Sequence, residues 1–210
     1  MKIAMIGAGN VGSTLGRAWL DRREDVVFGV PDPAASKYAT LPRDRLRLPP
    51  EAARSAEVVV LATPWPATEA AVKSLGGLSG KILIDCTNPL NMGRDGLELA
   101  VGYSMSGGEQ VAAWASGAAV FKTLNQTGAG NMDKAPLFSV RPLMFVAGDD
   151  ETKKPVVLSL IAKLGFEAID AGPLRIARLL EPFGMLWVDQ ALKRGRGQNF
   201  AFALIERSPD

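Results

Sequence analysis

Three glycines in the segment IGAGNVG, Gly7, Gly9 and Gly12, stand at G-x-G-x-x-G spacing. They follow a short apolar run, residues 2–6 (KIAMI), and open a segment, residues 10–22, that puts Val11, Leu15, Ala18 and Trp19 on one side of a helix. The three glycines play distinct physical roles. Gly7 turns the chain tightly, Gly9 lets the backbone approach a diphosphate, and Gly12 lets helix and strand pack closely. The backbone N–H groups around Ala8, Asn10 and Val11 then face outward at a helix start, where phosphate oxygens bind. Alone, the triplet also describes a strand-to-helix turn without a ligand. Strand, turn, helix and second strand in that order within residues 2–29 favour a dinucleotide site.

The next chemistry belongs to the end of the second strand. Asp32 lies twenty residues beyond Gly12, the reach of an acid that hydrogen-bonds an adenosine ribose 2′-hydroxyl, as in NAD binders. Its carboxylate would repel a 2′-phosphate. It also stands between Pro31 and Pro33, where an aspartate equally serves a turn. Ser36 and Lys37 follow and offer an alternative, a hydroxyl and a cation for the 2′-phosphate of NADP.

The composition removes other chemistries. There is no histidine among the 210 residues, hence neither the commonest general base nor the commonest metal ligand, and no metal site is expected. The single cysteine, Cys86, has no internal disulfide partner and no histidine to activate it, so it reads as a small packed residue. A formal charge of +2 without blocks of like sign argues against nucleic acid or a membrane surface as partner. No apolar run approaches the ~20 residues needed to span a bilayer. The first strand begins without a charged leader, so a reducing cytoplasm is the expected compartment.

Short apolar runs at residues 2–6, 26–29, 58–62, 82–85 and 118–122 read as buried strands. Helices are expected between them, at 10–22, 66–75 and 107–114. That alternation implies an α/β fold, a doubly wound parallel sheet of Rossmann type over residues 1–123. Residues 124–210 read as a small α/β extension packed on it in one unit, with strands at 142–147 and 166–170 and a helix near 151–164. A segment at 174–193 is expected to be interrupted by Pro182, and FAFALIE near the end alternates like a closing edge strand.

Three loops fall at the carboxyl ends of strands, where open α/β sheets bind ligands: TPWP (63–66), CTNPLN (86–91) and TLNQTGAGN (123–131). With MKIAMIGAGNVGSTLGRAW, VVVLATPWPA, KILIDCTNPL, GEQVAAWASGAAVFKTLNQTGAGNM and LGFEAIDAGPLRIARLLEP, the chain resembles the NADPH-dependent reductases of the deazaflavin coenzyme F420. It is similar in particular to their small bacterial dinucleotide-binding relatives, and the likeness covers nearly the whole chain. The resemblance implies that Thr63, Pro64 and Trp65 line the cofactor cleft and that Thr87, Asn88 and Pro89 lie beside the nicotinamide. It also implies that Asn125, Thr127 and Gly128 help close the substrate pocket.

One departure affects the cofactor. Similar proteins carry a basic residue just after the second strand to hold the 2′-phosphate, where this chain has Val30 and Pro31. NAD through Asp32 and NADP through Ser36 and Lys37 both remain open, the overall resemblance favouring NADP. The implied reaction is hydride transfer between the nicotinamide and a flat acceptor such as coenzyme F420 or a flavin. It works by positioning, with no catalytic acid or base. Arg94, Lys122 and Lys134 are candidate cations for the acceptor's acidic tail. Alternatives are a nucleotide-sensing protein that turns nothing over, or an enzyme like the β-hydroxyacid dehydrogenases in which Lys134 of GAGNMDK moves a proton. The apolar segment LLEPFGMLWVDQAL, with the resemblance, suggests a homodimer.

Overall fold

The computed structural model describes residues 1–94 and 96–207. Ten strands and six α-helices follow in order: β1 (Lys2–Ile6), α1 (Asn10–Asp21), β2 (Asp25–Gly29), β3 (Leu46–Arg47), α2 (Pro49–Ser55), β4 (Val58–Leu61), α3 (Trp65–Ser74) and β5 (Ile82–Asp85). Then come β6 (Leu90–Gly93), β7 (Gly96–Leu99), α4 (Gly107–Trp114), β8 (Ala119–Lys122), β9 (Leu143–Gly148), α5 (Lys154–Lys163), β10 (Glu167–Gly172) and α6 (Ala177–Leu192).

Eight strands form one sheet in the order β10-β9-β8-β5-β4-β1-β2-β3, and β6 and β7 make a separate antiparallel hairpin. From β1 the chain winds outward through β2 and β3 on one side, then returns to β4, β5 and β8 on the other. The crevice at that reversal lies at the carboxyl ends of β1 and β4. Strand side chains alternate between faces. Ile3, Met5, Val26, Phe28, Val58 and Val60 pack with Leu15 and Trp19 of α1 and with Val157, Leu160 and Ile161 of α5. Ala4, Ile6, Val27, Val59 and Leu61 pack on the other face with Ala52 of α2, Val72 of α3 and Val111 of α4. Two buried layers thus hold the strand ends rigid beneath the crevice.

The structure bears out the parallel sheet, corrects two expectations and adds elements. Within residues 1–123 the strands of the main sheet, β1 to β5 and β8, all pair parallel as expected, and β9 of the following segment joins β8 antiparallel. Residues 123–142, which join them, contain only two short 3₁₀ turns, at 129–131 and 135–137, so no helix crosses the sheet there. Helix α6 runs through Pro182, which is exposed and removes a single backbone donor. FAFALIE is not a strand. Its alternation comes from packing on α6, where Phe200 stacks on Trp187 with centroids 5.1 Å apart and Phe202 meets Phe183 at 4.5 Å. Its backbone makes one tie to the sheet, Leu143 N–H to the Phe202 carbonyl at 2.9 Å. Among the added elements, β3 and α2 arise in LRLPPEAARS, to which the sequence pattern assigns no element. Pro49 and Pro50 occupy the first helical turn, where a missing N–H costs nothing.

Candidate functional site

The crevice opens into a cleft of about 1010 Å³. One wall is the turn from β1 to α1, Gly7 to Val11, and the next is the end of β2 with Gly29 and Pro31. Lys37, Tyr38 and Leu48–Pro50 close one end. Ala62–Trp65 and the small residues Ala67, Ala70, Ala71 and Ser74 of α3 form the opposite side, and Cys86–Asn88 close the other end.

The turn has the geometry its glycines require. Gly7 has φ +94°, and a Cβ there would lie 2.6 Å from the Ala62 carbonyl oxygen. At Gly12 a Cβ would sit 2.9 Å from the Gly7 carbonyl carbon and closer still to its oxygen, so α1 can approach the turn only without a side chain. Gly9 differs: a Cβ there meets no atom within 4 Å. Its missing side chain therefore leaves open space in the cleft rather than relieving a clash. Gly9 caps α1 without any side-chain hydrogen bond, and the first turn holds no acidic residue. The leading N–H groups and the positive end of the helix dipole are thus presented to the cleft. Helix α3 also starts at the cleft, behind Pro64 and without a side-chain cap. Thr63 Oγ1 lies 3.1 Å from Thr68 Oγ1, which itself donates to the Pro64 carbonyl.

At the β2 end, Lys37 is the one charged side chain on the cleft walls among the described residues. Its ammonium lies 5.0 Å from the centre of the Tyr38 ring. Asp32 is exposed and shapes the turn: its Oδ1 accepts from the Ala34 N–H at 2.9 Å. Neither it nor Ser36, also exposed, is among the wall residues. Gly12 and Pro89 stand behind the walls, both buried.

The wall at 86–88 is braced by a buried ionic cluster. Lys122, at the end of β8, meets Asp85 Oδ2 and Glu181 Oε1, each at 2.9 Å, and all three side chains are at most 1% exposed. Burial alone would lower the Lys122 pKa, but Asp85 and Glu181 outweigh it and hold the pKa above that of an ordinary lysine. Lys122 is therefore a structural cation and is not free to meet an acceptor's tail, which corrects the sequence expectation. Arg94 and Lys134 are exposed and stand off the cleft walls, so Lys134 is not poised for proton work there. Burial, reinforced by Asp85, pushes the Cys86 thiol far up, consistent with an inert packed residue.

None of Asn125, Thr127 and Gly128 is a cleft-wall residue, and of the three Asn125 meets the 86–88 wall, through Asn88. Asn125 Nδ2 donates to Asn88 Oδ1 at 3.2 Å and to the Leu180 carbonyl at 2.9 Å, while Asn88 Nδ2 donates back to the Asn125 carbonyl. Thr127 Oγ1 accepts from Asn131 Nδ2 at 3.0 Å, and Gly128 is bare because the Trp187 indole packs on it. Sequence reading missed Asp85 and Glu181, although each is a lone acid in an apolar run (ILID, LLEPF). It also missed the small-residue face of α3, legible as Ala67, Ala70, Ala71 and Ser74 at helical spacing.

Comparison with known proteins bears on this cleft. Residues 2–89, which carry all of its wall residues, match the family described as NADP oxidoreductase, coenzyme F420-dependent. The crystal structure of a candidate F420-dependent NADP reductase from Arthrobacter sp. FB24 is 31% identical, with a TM-score of 0.90 over 98% of this chain and 100% of its own. The chain belongs to the coenzyme F420-dependent NADP oxidoreductase family. It is thus an NAD(P)-dependent oxidoreductase. A reductive aminase from Aspergillus terreus, solved with NADPH, shares the fold at 19% identity and a TM-score of 0.64, over 92% of this chain and 62% of its own. The rat metalloreductase STEAP3 is 24% identical over 86% of this chain, which spans 36% of that protein's length. Among the described residues, no helix is long and apolar enough to cross a membrane, and no cluster of acidic or cysteine side chains could hold a metal ion.

Proposed function

We propose that this oxidoreductase transfers a hydride between NADPH and a flat conjugated acceptor, coenzyme F420 or a flavin. The observation that carries the reading is the cleft itself. It joins an uncapped helix start with open space at Gly9, suited to a diphosphate, to the single wall cation Lys37. The residues fit the cofactor: Gly7–Val11 would hold the diphosphate, and Lys37 beside Tyr38 and Pro31 would face the adenosine. Cys86–Asn88, on the far side of β1 and β4, would then flank the nicotinamide. Lys37 on the wall supports NADP. Asp32, engaged in its own turn, gives less support to NAD.

The nicotinamide supplies the hydride and its electron pair when bound. The chain's contribution is to hold two rings in contact, where orientation alone can supply several kcal/mol, about 7–11 in favourable cases. The walls offer no histidine, carboxylate or accessible thiol to move a proton. An acceptor that takes hydride on a conjugated ring, and its proton from water, suits such a site better than an alcohol or ketone.

The test is a thermal-shift titration with NADPH, NADP, NADH and NAD, followed in the same samples by deazaflavin, flavin and quinone acceptors at the absorbance of reduced nicotinamide. NADPH is expected to stabilise most, with oxidation on adding deazaflavin or flavin. No shift with any nucleotide would overturn the reading. The exposed Leu179, Leu186 and Leu192 of α6 favour a homodimer, and a monomer by sedimentation at micromolar concentration would remove that part.

A further inference from the structure

The buried cluster has two legs that end in different places. Asp85 and Lys122 are register partners at the ends of β5 and β8. Lys122 Nζ has three acceptors for its three protons: Asp85, Glu181 and, at 2.7 Å, the Thr87 carbonyl. The other oxygen of Asp85 accepts from the Thr87 N–H at 2.9 Å and from the Thr87 hydroxyl at 2.7 Å. Thr87 is therefore gripped at its amide, its hydroxyl and its carbonyl by two side chains that do not line the cleft. The second leg leads away: Glu181 accepts from the N–H groups of Gly107 and Gly108, each at 2.9 Å, at the start of α4.

Burying such a trio is unfavourable for stability compared with apolar residues of the same volume. What apolar packing cannot supply is direction, a fixed aim for the backbone and hydroxyl of a wall residue. We infer that Asp85 and Lys122 are positioning residues: they clamp Thr87 so that the 86–88 wall holds the nicotinamide ring in one orientation for hydride transfer. The inference rests on the proposed nicotinamide end of the cleft. It assigns no contact between either side chain and the nucleotide.

Asp85→Asn and Glu181→Gln separate the two legs at constant shape. The asparagine must direct its amide donor at either the ammonium or Thr87, so the clamp loses one side. The glutamine can keep its carbonyl oxygen on Lys122 and the Gly108 N–H and turn its amide toward Gly107, so it disturbs the start of α4 and leaves the Thr87 clamp in place. NADPH fluorescence lifetime reports ring immobilisation on the nanosecond scale, while 2′,5′-ADP affinity reports the adenosine end alone. In Asp85→Asn the lifetime of bound NADPH should fall toward that of the free nucleotide by about twofold, with 2′,5′-ADP affinity held. In Glu181→Gln both should match the wild type, although its melting point falls as well. Equal lifetimes in the two variants would make the cluster a stability device and overturn the inference. A wild-type protein that leaves NADPH fluorescence unchanged would instead overturn the cleft assignment and the inference with it. If Asp85→Asn does not fold, Thr87→Val and Thr87→Ser carry the same contrast. The valine breaks the hydroxyl leg and should shorten the lifetime, the serine retains the leg and should restore it, and identical lifetimes in the two would again overturn the clamp.

Discussion

Gly9 and Gly12 both belong to the glycine triplet, yet they should respond oppositely to the same methyl group. In Gly12→Ala the new Cβ would lie 2.9 Å from the Gly7 carbonyl carbon and nearer its oxygen, and both are backbone atoms that cannot rotate away. Such overpacking costs about 1–3 kcal/mol. For a chain of 210 residues this is about 2–12 °C in melting temperature. In Gly9→Ala the Cβ meets nothing within 4 Å, so the loss is only that of a poorer helix cap, about 0.5–1 kcal/mol. Nucleotide binding reverses the ranking. NADPH at a hundred times its dissociation constant should stabilise the wild type by about 2.7 kcal/mol, or about 5–11 °C. In Gly9→Ala most of that shift should vanish, because the methyl stands where the diphosphate must approach. Gly12→Ala, measured relative to its own lowered baseline, should retain more of it. Differential scanning fluorimetry of the wild type and both variants, with and without NADPH, supplies all six melting temperatures. A full NADPH shift in Gly9→Ala, or a bulkier Gly9→Val that also keeps it, would show that the diphosphate does not approach at Gly9.

Further expectations concern charge. Lys122→Met leaves two buried carboxylates, Asp85 on β5 and Glu181 on α6, without their shared cation and should destabilise by about 3–5 kcal/mol, a fall of about 6–20 °C visible in the same melts. Lys37→Ala should raise the NADPH dissociation constant by about tenfold while leaving NADH within a factor of two, as expected for loss of one charge-assisted phosphate contact; Pro31→Arg should shift preference further toward NADPH, and calorimetric titration with both nucleotides checks the pair. Arg178 grips both oxygens of Glu109, at 2.6 and 2.8 Å, and with the Ser106 cap holds that carboxyl at about 2, below its ordinary 4.5. A depressed carboxyl contributes stability above its unfolded value and loses it as pH falls toward the folded one. The melting advantage of the wild type over Arg178→Met should therefore be full at neutral pH and shrink from pH 4.5 toward 2.

Much of the site's frame was legible because it depends on local rules. A triplet of glycines between an apolar run and an amphipathic segment leaves few ways to turn, and strands 2–6, 82–85 and the helix 107–114 appear within those bounds. The cofactor-side loops also follow from strand ends: Thr63, Pro64, Trp65, Thr87 and Asn88 all reach the cleft walls. What stayed hidden depends on partners distant in sequence. Lys122 reads as a loop cation until Glu181, fifty-nine residues later, is seen to meet it across the layer between β8 and α6. FAFALIE alternates whether it pairs with a strand or lays Phe200 and Phe202 on a helix, and hydropathy does not distinguish the two. Asp32 satisfies the ribose spacing and the turn rule equally, and only the Ala34 hydrogen bond reveals its local engagement.

A crystal structure grown with excess NADPH would decide whether the backbone at the start of α1 grips the diphosphate of a nicotinamide dinucleotide, on which the rest depends. Diphosphate oxygens are expected within hydrogen-bond distance of the N–H groups between Gly9 and Val11, with the 2′-phosphate at Lys37 and the dihydronicotinamide against Thr87. Density for NADPH elsewhere on the molecule, with that turn bare, would contradict it.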